Sequence, residues 1–350
     1  MSLRIKQLHC LLKQNSLDAL LVTQDENITY LTKFPASESW LLVTPKKSFY
    51  ITDFRYILEA KKGLKGVTIA RHTGNMGAAV FELTKAMKSK RIGFDGQNLS
   101  YAAYQRLKKA CPKSQKLIEA NGLVESLREV KDKDEIRQIK AALKIHEQAF
   151  RYLQKIVKPG FTERDILLKL EQFVKARDAG FSFDTIIASG ANSCYPHARV
   201  TNRRICRNDL VLIDMGVDLN GYKSDLTRMF FLGKISNLVK KVNEQVWESQ
   251  RRAIAKIAPG VAVAEVDYAA RNYLETQNLA KYFGHALGHG VGLEIHENPR
   301  ISQKSPAILQ EGMIITVEPA VYLPGKFGIR IEDMVLVTKK GCEVVSERIY

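Results

Sequence analysis

The sequence lacks any apolar stretch long enough to cross a membrane. Its 350 residues contain no run approaching the roughly 18 consecutive apolar residues that a spanning helix requires. Near the N-terminus, Ile5, Leu8 and Leu12 share one helical face, while Lys6 and Lys13 interrupt any apolar core of a signal peptide. We therefore expect an ordinary first helix and no membrane partner.

Cysteine is also scarce, and no two cysteines form a C-x-x-C pair. The five cysteines are scattered along the chain: Cys10, Cys111, Cys194, Cys206 and Cys342. Their spacing argues against zinc ribbons and disulfide redox chemistry, and it favours a reducing, cytoplasmic location. The sequence has no G-x-S-x-G motif either, so it indicates no serine nucleophile.

Acidic residues are outnumbered, which leaves a net charge of +17, but no nucleic-acid-binding motif accompanies the excess. Basic pairs such as Lys46-Lys47 and Lys240-Lys241 are short and have no aromatic residues between them. Phosphate-binding proteins usually concentrate basic residues in a stripe or patch. We therefore interpret the charge as a solvated basic surface and expect no nucleic-acid partner.

The hydrophobic pattern predicts two domains, residues 1–124 and 125–350. In the first, short apolar runs alternate with helical stretches, which indicates an α/β layer structure. The predicted strands are DALLV (18–22), SWLLVTP (39–45), SFYITD (48–53) and RIGFD (91–95), with helices at 54–62 and 77–89. This domain has no cluster of metal-type ligands, so we expect it to serve packing or oligomerisation.

The second domain contains the pattern helix, Pro-Gly, helix twice. A charged and then amphipathic helix begins at residue 125 and stops at Pro159-Gly160, and a second helix follows Thr162, with Asp165 completing an approximate N-terminal cap. The second copy comprises 237–257, Pro259-Gly260 and 263–277. We infer an internal duplication in which two α/β halves face each other.

Two aspartates lie in a predicted hairpin, DLVLIDMGVDLNGYKSDLTRMFFLG (209–233). An apolar run leads into Asp214, Asn220-Gly221 signals a turn, and the second strand carries Asp225, so we expect the hairpin to place Asp225 opposite Asp214. A carboxylate at the end of so apolar a strand is costly to desolvate without a cation or hydrogen bonds. The alternative is that one aspartate caps the turn and the other faces solvent.

Histidine is concentrated in FGHALGHGVGLEIHENP (283–299), which holds three of the seven histidines: His285, His289 and His296. Glycines on both sides of His289 let the backbone approach closely, and a neutral imidazole is a common ligand of divalent metals. The spacing differs from the H-E-x-x-H of helical zinc proteases. The segment therefore indicates a metal site of another kind.

Two glutamates interrupt apolar strands, Glu318 in MIITVEPAVY (313–322) and Glu332 in GIRIEDMVLVT (328–338). For Glu332 the alternative is an internal ion pair with Arg330. Four carboxylates and one imidazole suit two small divalent cations, with Mn²⁺ favoured over Zn²⁺. Two such ions about 3.5–4 Å apart can share a bridging water, supply hydroxide near neutral pH and polarise a carbonyl, which predicts amide hydrolysis.

These motifs resemble, closely and in order, the metallopeptidase family with the pita-bread fold, which includes methionine aminopeptidase, aminopeptidase P, prolidase and creatinase. Residues 21–56 resemble the creatinase-type N-terminal domain. SFDTIIASGANSCYPHA (182–198), both aspartates, the GH-x-x-GHG-x-GL-x-x-HE run, VEP and IRIED resemble the catalytic domain. The implied fold is α+β: a pita-bread catalytic domain with an internal pseudo-twofold repeat, preceded by a smaller α/β creatinase-like domain.

The resemblance also implies roles for the five ligands. Asp214 resembles the bidentate ligand of one metal, and His289 and Glu318 resemble ligands of the second. Asp225 and Glu332 resemble the carboxylates that bridge both ions. Glu318 also resembles the general acid/base, which takes a proton from water and passes it to the leaving amine.

Five further residues resemble positions that act on the substrate. His197 resembles the outer histidine that contacts substrate and leaving group, and His296 resembles the one that hydrogen-bonds the scissile carbonyl. His285 is expected to line the pocket. Arg330 and Tyr322 resemble residues of the proline-specific members, and we expect them to bind substrate.

The implied function is that of an Xaa-Pro aminopeptidase, which acts on peptides with proline at the second position. The alternatives are an Xaa-Pro dipeptidase (prolidase) and, more remotely, a catalytically inactive homologue that binds partners. The expected cofactors are two divalent metal ions, Mn²⁺ first, with Co²⁺ or Zn²⁺ as alternatives. We expect a cytoplasmic homodimer.

Overall fold

The structure is a computed structural model that describes residues 3–346. It divides into two compact units, Met1–Arg128 and Glu129–Tyr350. The domain boundary that the sequence predicts, between residues 124 and 125, lies slightly before the division between these two units. As a domain boundary it stays a prediction. Within the described part of the chain, no helix has both the length and the apolarity needed to cross a membrane.

The first unit contains a six-stranded mixed sheet. Its strands are β1 (Ala19–Val22), β2 (Trp40–Val43), β3 (Ser48–Thr52), β4 (Thr68–Arg71), β5 (Arg91–Phe94) and β6 (Lys116–Glu119), in the order β4-β3-β2-β1-β5-β6. β2 pairs antiparallel with both neighbours, and the remaining pairs are parallel. The four predicted strands are confirmed. The sequence did not reveal β4 and β6, because these edge strands are half-exposed and lack a continuous apolar run.

From residue 3 onwards, six α-helices accompany this sheet. They are α1 (Leu3–Gln14), α2 (Asp25–Thr32), α3 (Ile57–Gly63), α4 (Met76–Ala86), α5 (Tyr101–Ala110) and α6 (Glu125–Arg128). The predicted first helix and the helices at 54–62 and 77–89 correspond to α1, α3 and α4. Leu21, Leu42, Ile51, Val80 and Ile92 form part of the buried core between sheet and helices.

Up to residue 346, the second unit has four α-helices: α7 (Lys133–Ile156), α8 (Glu163–Lys175), α9 (Asn237–Ile254) and α10 (Val263–Thr276). The single helix predicted from residue 125 is wrong, because Asp132 caps a new helix there and forms a capping box with Glu135. The predicted cap of α8 is confirmed, since Thr162 and Asp165 form a full capping box.

In the part of the second unit that the structure describes, thirteen strands form four sheets. The strands are β7 (Gly180–Phe181), β8 (Ile186–Ser189), β9 (Leu210–Met215), β10 (Val217–Leu219), β11 (Tyr222–Lys223), β12 (Leu226–Phe231), β13 (Gly288–Gly290), β14 (Glu297–Ile301), β15 (Ile314–Val317), β16 (Ala320–Leu323), β17 (Phe327–Arg330), β18 (Asp333–Thr338) and β19 (Gly341–Val344). The sheet orders are β11-β10-β7, β12-β9-β8, β14-β13-β15-β18-β19 and β16-β17.

The two halves of this unit repeat the same local arrangement. Gly160 donates a backbone hydrogen bond to Ile205, and Gly260 donates one to Leu309, each across 2.9 Å. Two isolated bridges also occur at matching places: Thr162 with Arg204, and Ala262 with Ile308. These contacts support the internal duplication, and they set each Pro-Gly turn against the segment that follows its helix pair.

Candidate metal centre

The two aspartates lie on neighbouring strands of the β9–β12 hairpin. Asp214 in β9 pairs with Thr227, which lies two residues after Asp225 in the chain. The two aspartates are therefore not opposite each other, and that prediction is wrong. The two-residue turn Asn220-Gly221 sets this register, because Leu219 pairs with Tyr222 and the same register continues to Asp214. Both carboxylates are nevertheless buried.

The two glutamates lie at the ends of strands. Glu318 follows β15, and Glu332 lies between β17 and β18. The Thr227 hydroxyl donates to Glu332 Oε2 across 2.8 Å, and the Thr316 hydroxyl donates to Glu318 Oε1 across 3.4 Å. The backbones of both residues are still held, since Glu318 N donates to the Leu287 carbonyl oxygen (2.8 Å) and Glu332 N donates to the Thr227 carbonyl oxygen (3.3 Å).

His289 faces two of these carboxylates. Its Nε2 lies 3.4 Å from Glu318 Oε1 and 3.6 Å from Asp225 Oδ2. Its Nδ1 lies 3.1 Å from the Gly290 carbonyl oxygen. Because a carbonyl only accepts, we assign a proton to Nδ1. Burial opposes a second proton, but the hydrogen bond and charge of Glu318 raise the pKa of His289, so a metal would bind Nε2 by displacing its proton.

The glycines beside His289 have the close-approach role expected of them. A Cβ at Gly288 would lie 2.0 Å from the Thr316 carbonyl oxygen, and one at Gly290 would lie 2.2 Å from that of Asn298. Contacts this short exclude any side chain. Glycine therefore allows β13 to fit between β14 and β15 with His289 at its centre.

Three carboxylate oxygens of the cluster are buried and have no hydrogen-bond partner within residues 3–346: Asp214 Oδ1, Asp225 Oδ1 and Glu332 Oε1. Buried polar atoms in native proteins are nearly always paired. One ligand atom each from Asp225, His289 and Glu332 lies within 4.8 Å of the others. This donor set, dominated by hard oxygens, fits a divalent cation as the missing partner.

The electrostatics of the cluster lead to the same conclusion. Burial, followed by the charge of Glu332, raises the pKa of Asp225 well above its usual range. Burial, followed by the charge of Glu318, does the same to the pKa of Glu332. Like-charged carboxylates in so dry a place resist ionisation, and a bound cation removes that resistance.

Arg330 connects several parts of the site. It is buried, and its Nη2 donates to Asp214 Oδ2 across 2.5 Å. Its Nε donates to Thr227 Oγ1 (3.0 Å), and its Nη1 donates to Tyr322 Oη (2.5 Å) and to the Pro196 carbonyl oxygen (3.2 Å). The alternative considered for Glu332, an ion pair with Arg330, is not the one observed, because Arg330 pairs with Asp214. The role of Arg330 in binding substrate stays a prediction.

Tyr322 and His285 border the cluster. The Tyr322 hydroxyl lies 3.3 Å from His285 Nε2. Burial raises the pKa of Tyr322 to about 12 and lowers the pKa of His285. His285 Nδ1 lies 2.8 Å from the Ala286 carbonyl oxygen. Both side chains are therefore neutral at physiological pH, and they present a hydroxyl and an imidazole beside the ligands.

His296 and His197 lie on the exposed side of the cluster. The His296 ring meets the His289 ring edge to face, with centroids 4.4 Å apart. Burial, and then the neighbouring imidazoles of His289 and His197, lower the pKa of His296. His197 follows a 3₁₀ turn at Gly190–Cys194, one residue after the Pro196 carbonyl that Arg330 contacts. Neither imidazole is part of the Asp225–His289–Glu332 group.

Several supporting residues were missed from the sequence. Thr316 lies two residues before Glu318, and Thr227 two residues after Asp225, so each shares a strand face with the carboxylate. That alternation was a usable signal. Arg228 gave none: its guanidinium donates to the Glu332 carbonyl oxygen and, across 2.7 Å, to an aspartate 105 positions away, Asp333.

Comparison with known proteins places two family models on the chain. The model of metallopeptidase family M24 matches residues 137–339, and the creatinase/prolidase N-terminal domain matches residues 4–130. The Xaa-Pro dipeptidase of Pyrococcus horikoshii is 34% identical over 355 residues, which cover 99% of this chain and 97% of that protein.

Solved structures of similar proteins also match almost the whole of this chain. The Xaa-Pro dipeptidase from Bacillus anthracis superposes with a TM-score of 0.95 at 35% identity, covering 99% of this chain and 97% of that one. The X-Pro aminopeptidase from Thermotoga maritima gives a TM-score of 0.88 at 34% identity, covering 95% and 96%. Similar proteins thus include both a dipeptidase and an aminopeptidase.

Proposed function

This chain belongs to metallopeptidase family M24, and we propose that it hydrolyses the peptide bond between an N-terminal residue and a following proline. The family match confirms the predicted resemblance and the predicted fold class, a pita-bread domain preceded by a creatinase-type domain. The observation that carries the proposal is the cluster of buried carboxylates around His289, three of whose oxygens are unpaired within the described residues.

We propose that two divalent ions bind here, with Mn²⁺ the first candidate and Co²⁺ or Zn²⁺ the alternatives. The ligands would be Asp214, Asp225, His289, Glu318 and Glu332. Such ions, when bound, polarise the scissile carbonyl and make water a better nucleophile. Carboxylate oxygens bind hard ions such as Mn²⁺ well, whereas zinc sites usually contain more nitrogen or sulfur ligands. A ligand set with only one imidazole therefore favours Mn²⁺.

Glu318 has the properties of the base that accepts the proton of the attacking water. Burial opposes its ionisation, but in the metal-free protein the hydrogen bond and charge of a protonated His289 outweigh burial and lower the pKa of Glu318. A bound cation would supply positive charge in place of that proton. Glu318 therefore begins the reaction ionised and able to accept a proton. Once protonated beside the substrate, the same carboxyl can donate to the amine that leaves.

His296 and His197 would contact the substrate, because both lie on the open side of the cluster. An imidazole N–H of His296 directed at the scissile carbonyl would donate more strongly as negative charge develops on oxygen. His197 would contact the leaving amine. His285, Tyr322 and Arg330 would form the wall against which the proline ring packs.

The finer proposal is aminopeptidase activity on peptides longer than two residues. The structural similarity to the Thermotoga maritima aminopeptidase supports it, and the two dipeptidases support dipeptidase activity as the second candidate. The test compares Mn²⁺-dependent cleavage of Ala-Pro and Ala-Pro-Ala-Ala, with Ala-Ala-Ala-Ala as control. Cleavage of Ala-Pro alone would select the dipeptidase, and equal cleavage of the control would contradict both. A cytoplasmic location and a homodimer remain proposals.

A further inference from the structure

One buried carboxylate, Glu163, holds both ends of the loop that carries His197. We define the His197 loop as residues 190–200, between β8 and the segment that returns towards α8. Glu163 is fully buried, at the first position of α8. Its Oε1 accepts from Ser189 N (2.7 Å), Ser189 Oγ (2.7 Å) and Asn192 Nδ2 (3.2 Å), and its Oε2 accepts from Thr201 N (2.9 Å) and Thr201 Oγ1 (2.6 Å).

These five hydrogen bonds fix the loop at its base. Ser189 is the residue just before the loop, and Thr201 is the residue just after it. Hydrogen bonds to an ionised carboxylate are roughly twice as strong as those between neutral groups. The first turn of a helix also favours negative charge, which adds to the hold of these donors on the Glu163 carboxylate.

The middle of the loop is fixed from the opposite side. Gly328 N donates to Ser193 Oγ across 2.8 Å, and Arg330 Nη1 donates to the Pro196 carbonyl oxygen. Gly328 must be glycine, since a Cβ there would lie 2.1 Å from the Ser193 carbonyl oxygen. His197 follows Pro196 directly and is exposed, so the position of its imidazole depends on how the loop is held.

We propose that Glu163 is a positioning residue for the peptidase reaction: it fixes the His197 loop so that the His197 imidazole meets the substrate. The inference rests on the proposed function, which gives His197 that contact. No hydrogen bond joins Glu163 to a candidate ligand within residues 3–346, so we expect it to act through the loop.

The variant Glu163→Gln tests this, because an amide replaces one acceptor oxygen by a donor that faces the donors of Ser189 or Thr201. Asp165→Asn is the matched control: Asp165 lies in the same helical turn, but its carboxylate accepts from Thr162 in the capping box. We expect E163Q to lower kcat about 10- to 100-fold, the size of effect that small misplacements cause. Metal content should not change, and D165N should stay within about twofold of wild type.

A double variant separates positioning from general stability. If Glu163 acts through His197, E163Q combined with His197→Ala should be no more than about twofold slower than H197A alone. Amide hydrogen exchange in E163Q should accelerate in residues 189–201 and should stay at the wild-type rate in α8. The proposal would be overturned if the two substitutions reduced kcat multiplicatively in the double variant. It would also be overturned by wild-type hydrogen exchange in the His197 loop of E163Q, or by a loss of kcat in D165N equal to that in E163Q.

Two further experimental results also test the role of Glu163. If E163Q does not fold, Thr201→Val removes one donor and keeps the charge, and it should lower kcat severalfold with the same lack of additivity; wild-type kcat would contradict the proposal. If the wild-type enzyme cleaves no Xaa-Pro peptide, the proposed function fails, and unchanged hydrogen exchange in E163Q would then show that Glu163 does not hold the loop.

Discussion

Arg330 Nη2 donates a 2.5 Å hydrogen bond to Asp214 Oδ2, although the two residues are 116 positions apart in the chain. Side-chain exposure is 4% for Arg330 and 13% for Asp214, so solvent screens the pair little. The guanidinium offsets the carboxylate charge from the side of Oδ2. The other oxygen, Oδ1, has no hydrogen-bond partner within the described residues and is available to a cation. The same guanidinium also holds Tyr322 and the loop at Pro196.

Arg330→Ala should destabilise the metal-free protein by about 3–5 kcal/mol, because it leaves the Asp214 carboxylate buried and unpaired. The loss should be smaller with Mn²⁺ bound, since the cation replaces part of the missing charge. Denaturant unfolding with and without metal measures both values. Arg137→Ala is the control: it removes an exposed ion pair with Asp134 and should cost less than about 1 kcal/mol. Equal losses in the two variants would contradict this account.

Asp225→Asn and Glu332→Gln should each abolish turnover, because a neutral amide cannot hold two cations together. The fold should survive and, without metal, should resist denaturant at least as well as wild type. The sign follows from the pKa of each carboxyl, which is raised in the folded state, so each group destabilises the fold above its unfolded pKa. Near-normal turnover with full metal content in either variant would refute the assignment of these ligands.

Removal of metal by chelation should inactivate the enzyme and lower its melting temperature, because repulsion among the buried carboxylates is then uncompensated. Addition of Mn²⁺ should restore both. The measurement is Xaa-Pro peptide cleavage and thermal unfolding, with metal content determined by elemental analysis. Full activity of a preparation shown to contain no metal would remove the proposed chemistry.

Local signals in the sequence predicted much of the fold. The capping box of Thr162 and Asp165 and the apolar strand SFYITD depend on residues a few positions apart, and both are present in the structure. The candidate ligands were found for a similar reason. A carboxylate or histidine that breaks an apolar run is visible without knowledge of its partners.

Long-range relationships left no such signal. Glu163 meets Thr201 across 38 positions, and Arg228 meets the Glu332 backbone across 104. Neither pair produces a periodic pattern, because the contact is decided by how strands and helices pack. The register of Asp225, by contrast, is set locally: the two-residue turn Asn220-Gly221 pairs Asp214 with Thr227 and leaves Asp225 two residues away from that partner.

His296→Ala and His197→Ala should lower turnover while metal content stays at the wild-type level. Loss of a hydrogen bond that strengthens on the developing oxyanion costs about 3–4 kcal/mol in the transition state, which for His296 corresponds to a fall in kcat of about 10²- to 10³-fold. Steady-state kinetics and elemental analysis test both variants. Loss of metal from either one would make that histidine a ligand and contradict the proposed role.

His146 should make the fold less stable as pH falls from 7 to 5. It is fully buried, its Nδ1 lies 3.0 Å from Ser224 Oγ, and burial, together with the charge of Arg228, lowers its pKa to about 3. Its pKa in the unfolded chain is about 6.5, so the unfolded state binds the extra proton, and stability is lost as pH drops below that value. At pH 5 the loss should be about 2 kcal/mol. His146→Gln cannot titrate and should lose correspondingly less between pH 7 and 5 in denaturant unfolding with the same metal content. The buried carboxylates titrate alike in both proteins, so equal pH dependence of wild type and variant would show that His146 is not the group responsible.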